Sequence, residues 1–262
     1  MEDGCMSQST TDMISTADGV NSGTASDGLE TMRAELDPMN PLQRLQWALN
    51  RFGGGFAVTT SFGIQSSVLL HMLSCLSGAE NVPVIWVDTG YLPAETYRYA
   101  TTLCERLGHE LVVAQSSMSP ARMEALHGKL WETGREQDLD LYLQLRKVEP
   151  LEVALTERGV SCWASGVRHG QTELRKTMTV IDPIRDRLSL RPLLSWTKRD
   201  VFYYMQEHDL PQHPLFDQGY STVGDWHSSA PDGLESDGRS TRFGGQRQEC
   251  GIHVPGVMGD GI

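Results

Sequence analysis

Val82-Pro83-Val84-Ile85-Trp86-Val87-Asp88-Thr89-Gly90 is a short, almost wholly apolar run that ends in Asp-Thr-Gly. A strand that is apolar on both faces has to be covered on both faces, the condition of a parallel strand inside an α/β layer structure. The next segment, Pro93 to Gly108, opens on proline and closes on glycine, the order in which those residues bound a helix. Upstream, FAVTT (56–60) reads as a strand and IQSSVLLHMLSCL (64–76) as an apolar-faced helix. Before them, PLQRLQWALNRF (41–52) has helical spacing and is stopped by Gly53-Gly54-Gly55. Downstream, HELVVA (109–114), SCWASG (161–166) and TVIDPI (179–184) read as further strands, with helices over 120–128, 136–157 and 197–208. Strand and helix alternate, so the expected fold is α/β: an open, mostly parallel sheet flanked by helices.

The flanks differ in character. Residues 1–36 are rich in Ser, Thr, Gly, Asp and Met and carry little aliphatic periodicity, so they are expected to form a disordered tail. Residues 37–212 make the α/β domain, and 213–262 a C-terminal segment. Gly, Ser, Asp and Pro dominate 228–240, the composition of a mobile linker, which makes the C-terminal tail flexible.

With 34 acidic and 22 basic side chains in 262 residues, the chain has a net charge of -12, the wrong sign for a general nucleic-acid or anionic-membrane binder. Any anionic ligand must therefore meet a local basic cluster. No apolar run approaches the roughly 18–20 residues of a membrane span, and the N-terminus lacks the layout of a signal peptide, so the expected location is the cytoplasm. The five cysteines (Cys5, Cys75, Cys104, Cys162, Cys250) are odd in number and contain no CxxC pair, a pattern that fits a reducing compartment.

Three stretches carry chemistry. Thr59-Thr60-Ser61-Phe62-Gly63-Ile64-Gln65-Ser66-Ser67 lies between an expected strand and an expected helix, where backbone N–H groups and hydroxyls converge on an anion with help from the helix dipole. It is neither a Walker A loop nor a dinucleotide fingerprint, and an ordinary capped turn is the plain alternative. After SCWASG come Arg168, Gln171 and Arg175, a potential clamp for phosphate or sulfate, against the plain reading of a solvated helix face. Cys250, in Thr241-Arg242-Phe243-Gly244-Gly245-Gln246-Arg247-Gln248-Glu249-Cys250-Gly251-Ile252-His253, has neighbours too polar for a core cysteine. Arg242, Arg247 and His253 favour its thiolate, the attacking species, while Glu249 opposes it. The other four cysteines read as structural or incidental, and the histidines show no metal-ligand spacing.

Taken together, TTSFGIQSS, VDTGY (87–91), GVRHGQTELR (166–175), HPLFDQGYSTVGD (213–225) and ECGIH (249–253) resemble the phosphoadenylyl-sulfate and adenylyl-sulfate reductase family over about residues 45–254. The resemblance implies an adenine-nucleotide α-hydrolase-like fold. It implies a substrate site formed by Thr60, Ser61, Phe62, Gly63, Gln65, Ser66, Ser67, Asp88, Thr89, Gly90, Arg168, Gln171, Arg175, Arg242, Arg247 and His253. It further implies that Cys250 attacks the sulfur of 3'-phosphoadenylyl sulfate, and that thioredoxin or glutaredoxin then releases sulfite. His213 and His227 are weaker candidates for substrate contact, and a homodimer is one expectation, since some relatives are dimers.

Cluster-bearing members of the family have a Cys-Cys pair where this chain has Tyr142 and Leu143, and a second cysteine pair where it has Asp225 and Ser228. Thiolate ligands are what a cubane cluster needs, so no iron-sulfur centre and no other bound cofactor is expected. The preference for the 3'-phosphate follows from family analogy alone. A sulfate-adenylating relative would share the loop but has no use for ECGIH, and a non-catalytic nucleotide sensor would be expected to show damage at Cys250 or in the loop.

Overall fold

The computed structural model describes residues 22–232, 239–249 and 251–253, and it holds one six-stranded sheet. The strands are β1 (Phe56–Thr60), β2 (Val84–Asp88), β3 (Leu111–Gln115), β4 (Cys162–Ala164), β5 (Ile181–Ile184) and β6 (Arg187–Leu190), in the spatial order β3-β2-β1-β4-β6-β5. All neighbours are parallel except the edge pair β5–β6. Pro183 is tolerated in β5 because this strand lies at the sheet edge.

Helices α2 (Pro41–Phe52), α3 (Ser67–Ser74), α4 (Ala94–Leu107) and α8 (Lys198–Glu207) contribute to the larger core. There Phe56, Val58 and Val84 from the strands meet Leu45, Leu70, Leu73 and Leu103 from the helices. Each such side chain taken from water is worth about 1.5–3 kcal/mol. The opposite face buries Ala57, Ile85 and Trp163 beneath Leu151 and Leu155 of α7 (Glu149–Glu157). α2 opens on a capping box in which Asn40 and Gln43 bond reciprocally, and α4 ends at Gly108 in the left-handed region.

Four features depart from the sequence reading. Residues 22–36, expected within the disordered tail, form helix α1 (Ser22–Leu36): Leu36 is fully buried, and Arg33 bonds Asp182 of β5 at 2.6 Å. Buried Leu36, half-buried Leu29 and Met32, and Arg33 supply the anchorage that a composition argument averages away; residues 1–21 lie outside the described residues. The helix expected over 64–76 is shorter, since 64–66 form a turn and α3 starts at Ser67. Strand β6, absent from the sequence reading, pairs with β5 across a two-residue turn whose residues, Arg185 and Asp186, both have positive φ (45° and 62°). Such turns normally advertise themselves by Asn-Gly, and this one does not.

The helical stretch 136–157 is interrupted. Between α6 (Glu136–Leu143) and α7, residues Gln144–Val148 form a π-helical turn, which places Arg146 and Lys147 side by side in the interior. α5 (Pro120–His127) lies between β3 and α6.

Candidate active site

β1 is the strand where the order of connection turns. The chain adds β2 and β3 on one side of it and then returns to add β4 on the other. Loops leaving the carboxyl ends of strands part at such a point and open a crevice. Here β1 delivers Ser61–Ser66, β4 delivers Ser165–Arg168, and the neighbouring β2 delivers Thr89 and Gly90 just past Asp88.

The loop after β1 is built by its second residue. Phe62 takes a left-handed backbone (φ 46°) and sinks its ring into the core, edge-on to Trp86 with centroids 5.1 Å apart. Thr60 Oγ1 accepts the Phe62 N–H at 3.1 Å and stabilises the turn. The left-handed residue costs roughly 1–2 kcal/mol, and burial of the ring offsets it. Ser61 is thereby left exposed and Gly63, Gln65 and Ser66 half-buried. Ser66 donates both its N–H and its hydroxyl to Gly63 O, at 3.1 and 2.7 Å. Ser67 is fully buried on the first turn of α3.

Arg168 joins the two strand ends. Its guanidinium donates to Gln65 Oε1, its backbone N–H donates to Gln171 Oε1 at 3.0 Å, and among the described residues it makes no ion pair. Burial, and then the nearby Arg175 guanidinium, pull its pKa down to about 10. A buried cation bonded to a neutral amide, with Asp200 offsetting its charge from beyond ion-pair distance, is a site an anion would relieve. Ser165, which the sequence reading passed over, adds a buried hydroxyl with no partner among the described residues at the end of β4.

Arg175 is buried too, but it is engaged: it meets the Glu249 carboxylate through two bonds, of 2.9 and 2.8 Å, while Thr172 Oγ1 donates to the same carboxylate at 2.6 Å. Burial works against ionising Glu249, but Arg175, backed by Arg239 and Thr172, holds the carboxyl below its ordinary value.

Asp88, Thr89 and Gly90 are each tied into the scaffold. The Asp88 carboxylate accepts from Gly90 N–H (2.8 Å), Tyr97 Oη (2.6 Å) and Gln115 Nε2 (2.7 Å). Gly90 has a φ of 75°, and a Cβ there would stand 2.5 Å from Pro120 Cγ, so both conformation and space demand glycine. The Thr89 carbonyl accepts from Arg146 (Nε at 2.8 Å), and its hydroxyl donates to Asp225 Oδ1 at 2.5 Å.

Asp225 is fully buried, and its other oxygen lies 2.7 Å from Lys147 Nζ. Burial alone would raise its pKa, but Lys147 and Arg242 hold it far below the carboxylate range. Tyr142 and Leu143 are likewise fully buried, Ser228 nearly so, and His227 Nε2 lies 3.0 Å from Tyr142 Oη. The positions that carry cysteine pairs in cluster-bearing relatives thus hold a phenol, an isobutyl group, a carboxylate already paired to lysine, and a hydroxyl. That donor set does not fit an iron-sulfur cluster.

In the C-terminal segment, Arg242 is buried against Gly224, where any side chain would collide with its guanidinium. Arg247 pairs with Asp140 of α6 and does not join Arg168. His253 lays its ring on Trp163, centroids 5.3 Å apart; burial and then the surrounding arginines push its pKa well below the usual value. Cys250 lies outside the described residues, as does Cys5. Cys104 and Cys162 are buried, and burial pushes their thiols up to about 11 and about 12; Cys75 is exposed at the end of α3.

Neither weaker histidine candidate faces the crevice as an open ligand. His213 is fully buried with Nε2 3.1 Å from Thr96 Oγ1 and Nδ1 accepting from Leu215 N–H, and His227 is stacked on Trp131 at 3.9 Å. Burial lowers both pKa values to about 4.

The Phosphoadenosine phosphosulfate reductase domain matches residues 55–231. The chain is 53% identical to the phosphoadenosine 5'-phosphosulfate reductase of Synechococcus sp., over 86% of this chain and 97% of that one. It is 47% identical to the protein of that name from Synechocystis sp., over 87% and 91%. Among solved structures it is similar to the phosphoadenylyl-sulfate reductase of Candida auris in a phosphate complex (TM-score 0.67, 28% identity, 83% of this chain and 99% of that one). The FMN adenylyltransferase of Candida glabrata, at 16% identity and a TM-score of 0.55 over 73% and 61%, shares the fold alone. With the match spanning the crevice and all six strands of the sheet, the chain belongs to the phosphoadenosine phosphosulfate reductase family of oxidoreductases.

Proposed function

We propose that this enzyme reduces 3'-phosphoadenylyl sulfate to sulfite and adenosine 3',5'-bisphosphate in the cytoplasm, as a step of assimilatory sulfate reduction, with thioredoxin or glutaredoxin as electron donor. The observation that carries the reading is Arg168: a buried guanidinium, with no ion pair among the described residues, at the crevice where the loops after β1 and β4 meet. The names of the close relatives, and the phosphate complex of the Candida auris reductase, agree with it.

The Cys250 thiolate attacks the sulfur of the substrate. The bond from sulfur to the phosphate oxygen breaks, its electron pair leaves with adenosine bisphosphate, and a Cys250 S-sulfonate remains. A donor thiolate then attacks the cysteine sulfur and expels sulfite with the bonding pair. The donor's second thiol resolves the mixed disulfide and frees Cys250, so the two electrons gained by sulfite come from the donor dithiol. Arg168, Gln65, Ser66 and Gly63 bind the substrate anion, a cation and loop dipoles placed in advance for charge that must approach an anionic nucleophile. No iron-sulfur cluster takes part, in keeping with Tyr142, Leu143, Asp225 and Ser228 at the four ligand positions.

The test is sulfite release measured with 3'-phosphoadenylyl sulfate and with adenylyl sulfate, for the native enzyme and Cys250→Ser. Thioredoxin-dependent release that prefers the first nucleotide and vanishes in the variant is expected. Undiminished release by Cys250→Ser would overturn the nucleophile assignment.

A further inference from the structure

Sequence position makes Arg175 a natural partner of Arg168 in gripping an anion, but the Arg175 guanidinium is committed. Nε and Nη2 engage both oxygens of Glu249, and Nη1 donates to Gln171 Oε1. A guanidinium joined edge to edge with a carboxylate has its Nε–Nη2 fork filled, and with Nη1 on Gln171 three of its five donors are taken from any sulfate or phosphate. Glu249 is the residue before Cys250. On the other side, Gly251 O and Ile252 O are held by Arg185, at 3.4 and 3.0 Å, and Ile252 packs against the core beneath α7.

Arg185 is itself unusual. It occupies a left-handed backbone in the turn between β5 and β6, with Asp186 beside it in the same region, and its Nε is fixed on Glu152 of α7 at 2.6 Å. A non-glycine residue kept in that conformation while its side chain reaches the chain next to the nucleophile links strain to a functional position.

We propose that Arg175 and Arg185 are positioning residues for the reaction, and that Glu249 is the handle through which Arg175 works. Together they fix the backbone on both sides of Cys250, and of the two arginines that follow β4 only Arg168 takes the substrate anion. The inference rests on Cys250 being the nucleophile. It assigns to Glu249 a role in aiming the thiol.

The experiment is steady-state sulfite release, with kcat and KM for 3'-phosphoadenylyl sulfate determined separately, for Glu249→Gln, Arg175→Met, the double variant and Arg185→Gly. The last removes the guanidinium while suiting the left-handed backbone, so one anchor can be tested even where a half-broken buried pair fails to fold. Each variant is expected to lose about 10- to 100-fold in kcat, the scale of a nucleophile held out of line, with KM within about threefold. The double variant should be no slower than the slower single, because both halves act as one unit. A KM raised about tenfold in Arg175→Met, or lowered in Glu249→Gln, would overturn the proposal by making Arg175 a substrate ligand for which Glu249 competes; so would native kcat in all four variants. Cys250→Ser is run alongside. If it retains turnover, the nucleophile reading fails; if it is inactive while the anchor variants turn over at the native rate, the anchor proposal alone fails.

Discussion

Removing the Arg168 guanidinium takes from the crevice a charge that bridges the ends of β1 and β4, and it leaves Gln65 Oε1 without that donor. Losing a charge-assisted contact costs about 1.5–3 kcal/mol, so Arg168→Ala is expected to weaken nucleotide binding roughly 10- to 100-fold, measured by calorimetry with adenosine 3',5'-bisphosphate. Binding within threefold of native would remove Arg168 from the site. At this scale the sequence was legible as to place: the loop after β1 and Arg168 lie at neighbouring strand ends, as their positions after apolar runs suggested. It was less informative about what each side chain does. Asp88 and Thr89 lie beside the crevice but are consumed by Tyr97, Gln115 and Asp225, partners that no local pattern in the sequence announces.

Among the elements, the π turn Gln144–Val148 has the widest consequences, because it brings Lys147 to Asp225 and Arg146 to Thr89 O, tying the helix to the loop after β2. Asp225→Ala alone strands a buried ammonium and is expected to cost about 3–5 kcal/mol; pairing it with Lys147→Met should recover part of that loss, since the double variant no longer buries the Lys147 ammonium unpaired, while Arg242 still loses its carboxylate neighbour. Urea unfolding of the three variants checks this, and additive losses would contradict the coupling. The elements that escaped the sequence reading share a cause. β6 hides behind a turn made by Arg185 and Asp186 with no glycine, and α1 is held by Leu36 and by Arg33 on Asp182, contacts across most of the domain. The parallel strands were legible because burial on both faces writes itself into composition, as in Val84–Asp88.

For the molecule as a whole, His213 and His227 set an acid limit. His213 is fully buried and His227 half-buried, and burial holds both neutral with pKa values near 4, whereas an unfolded imidazole titrates at about 6.5, so between those values the unfolded chain binds more protons. The stability they contribute is complete above about pH 6.5 and is lost as pH falls toward 4. The urea midpoint should therefore drop between pH 7 and pH 5, and drop less in His227→Phe, which keeps a ring on Trp131; a flat profile would contradict the burial of neutral rings. All of these parts serve one proposed event, the capture of a sulfonyl group by a thiol. The most direct measurement is anaerobic incubation of the enzyme with 3'-phosphoadenylyl sulfate in the absence of any thiol donor, followed by peptide mass analysis. The account predicts one added SO3 group, on the peptide carrying Cys250, discharged as sulfite when reduced thioredoxin is added. An unmodified Cys250 peptide from enzyme that turns over normally once the donor is supplied would contradict it.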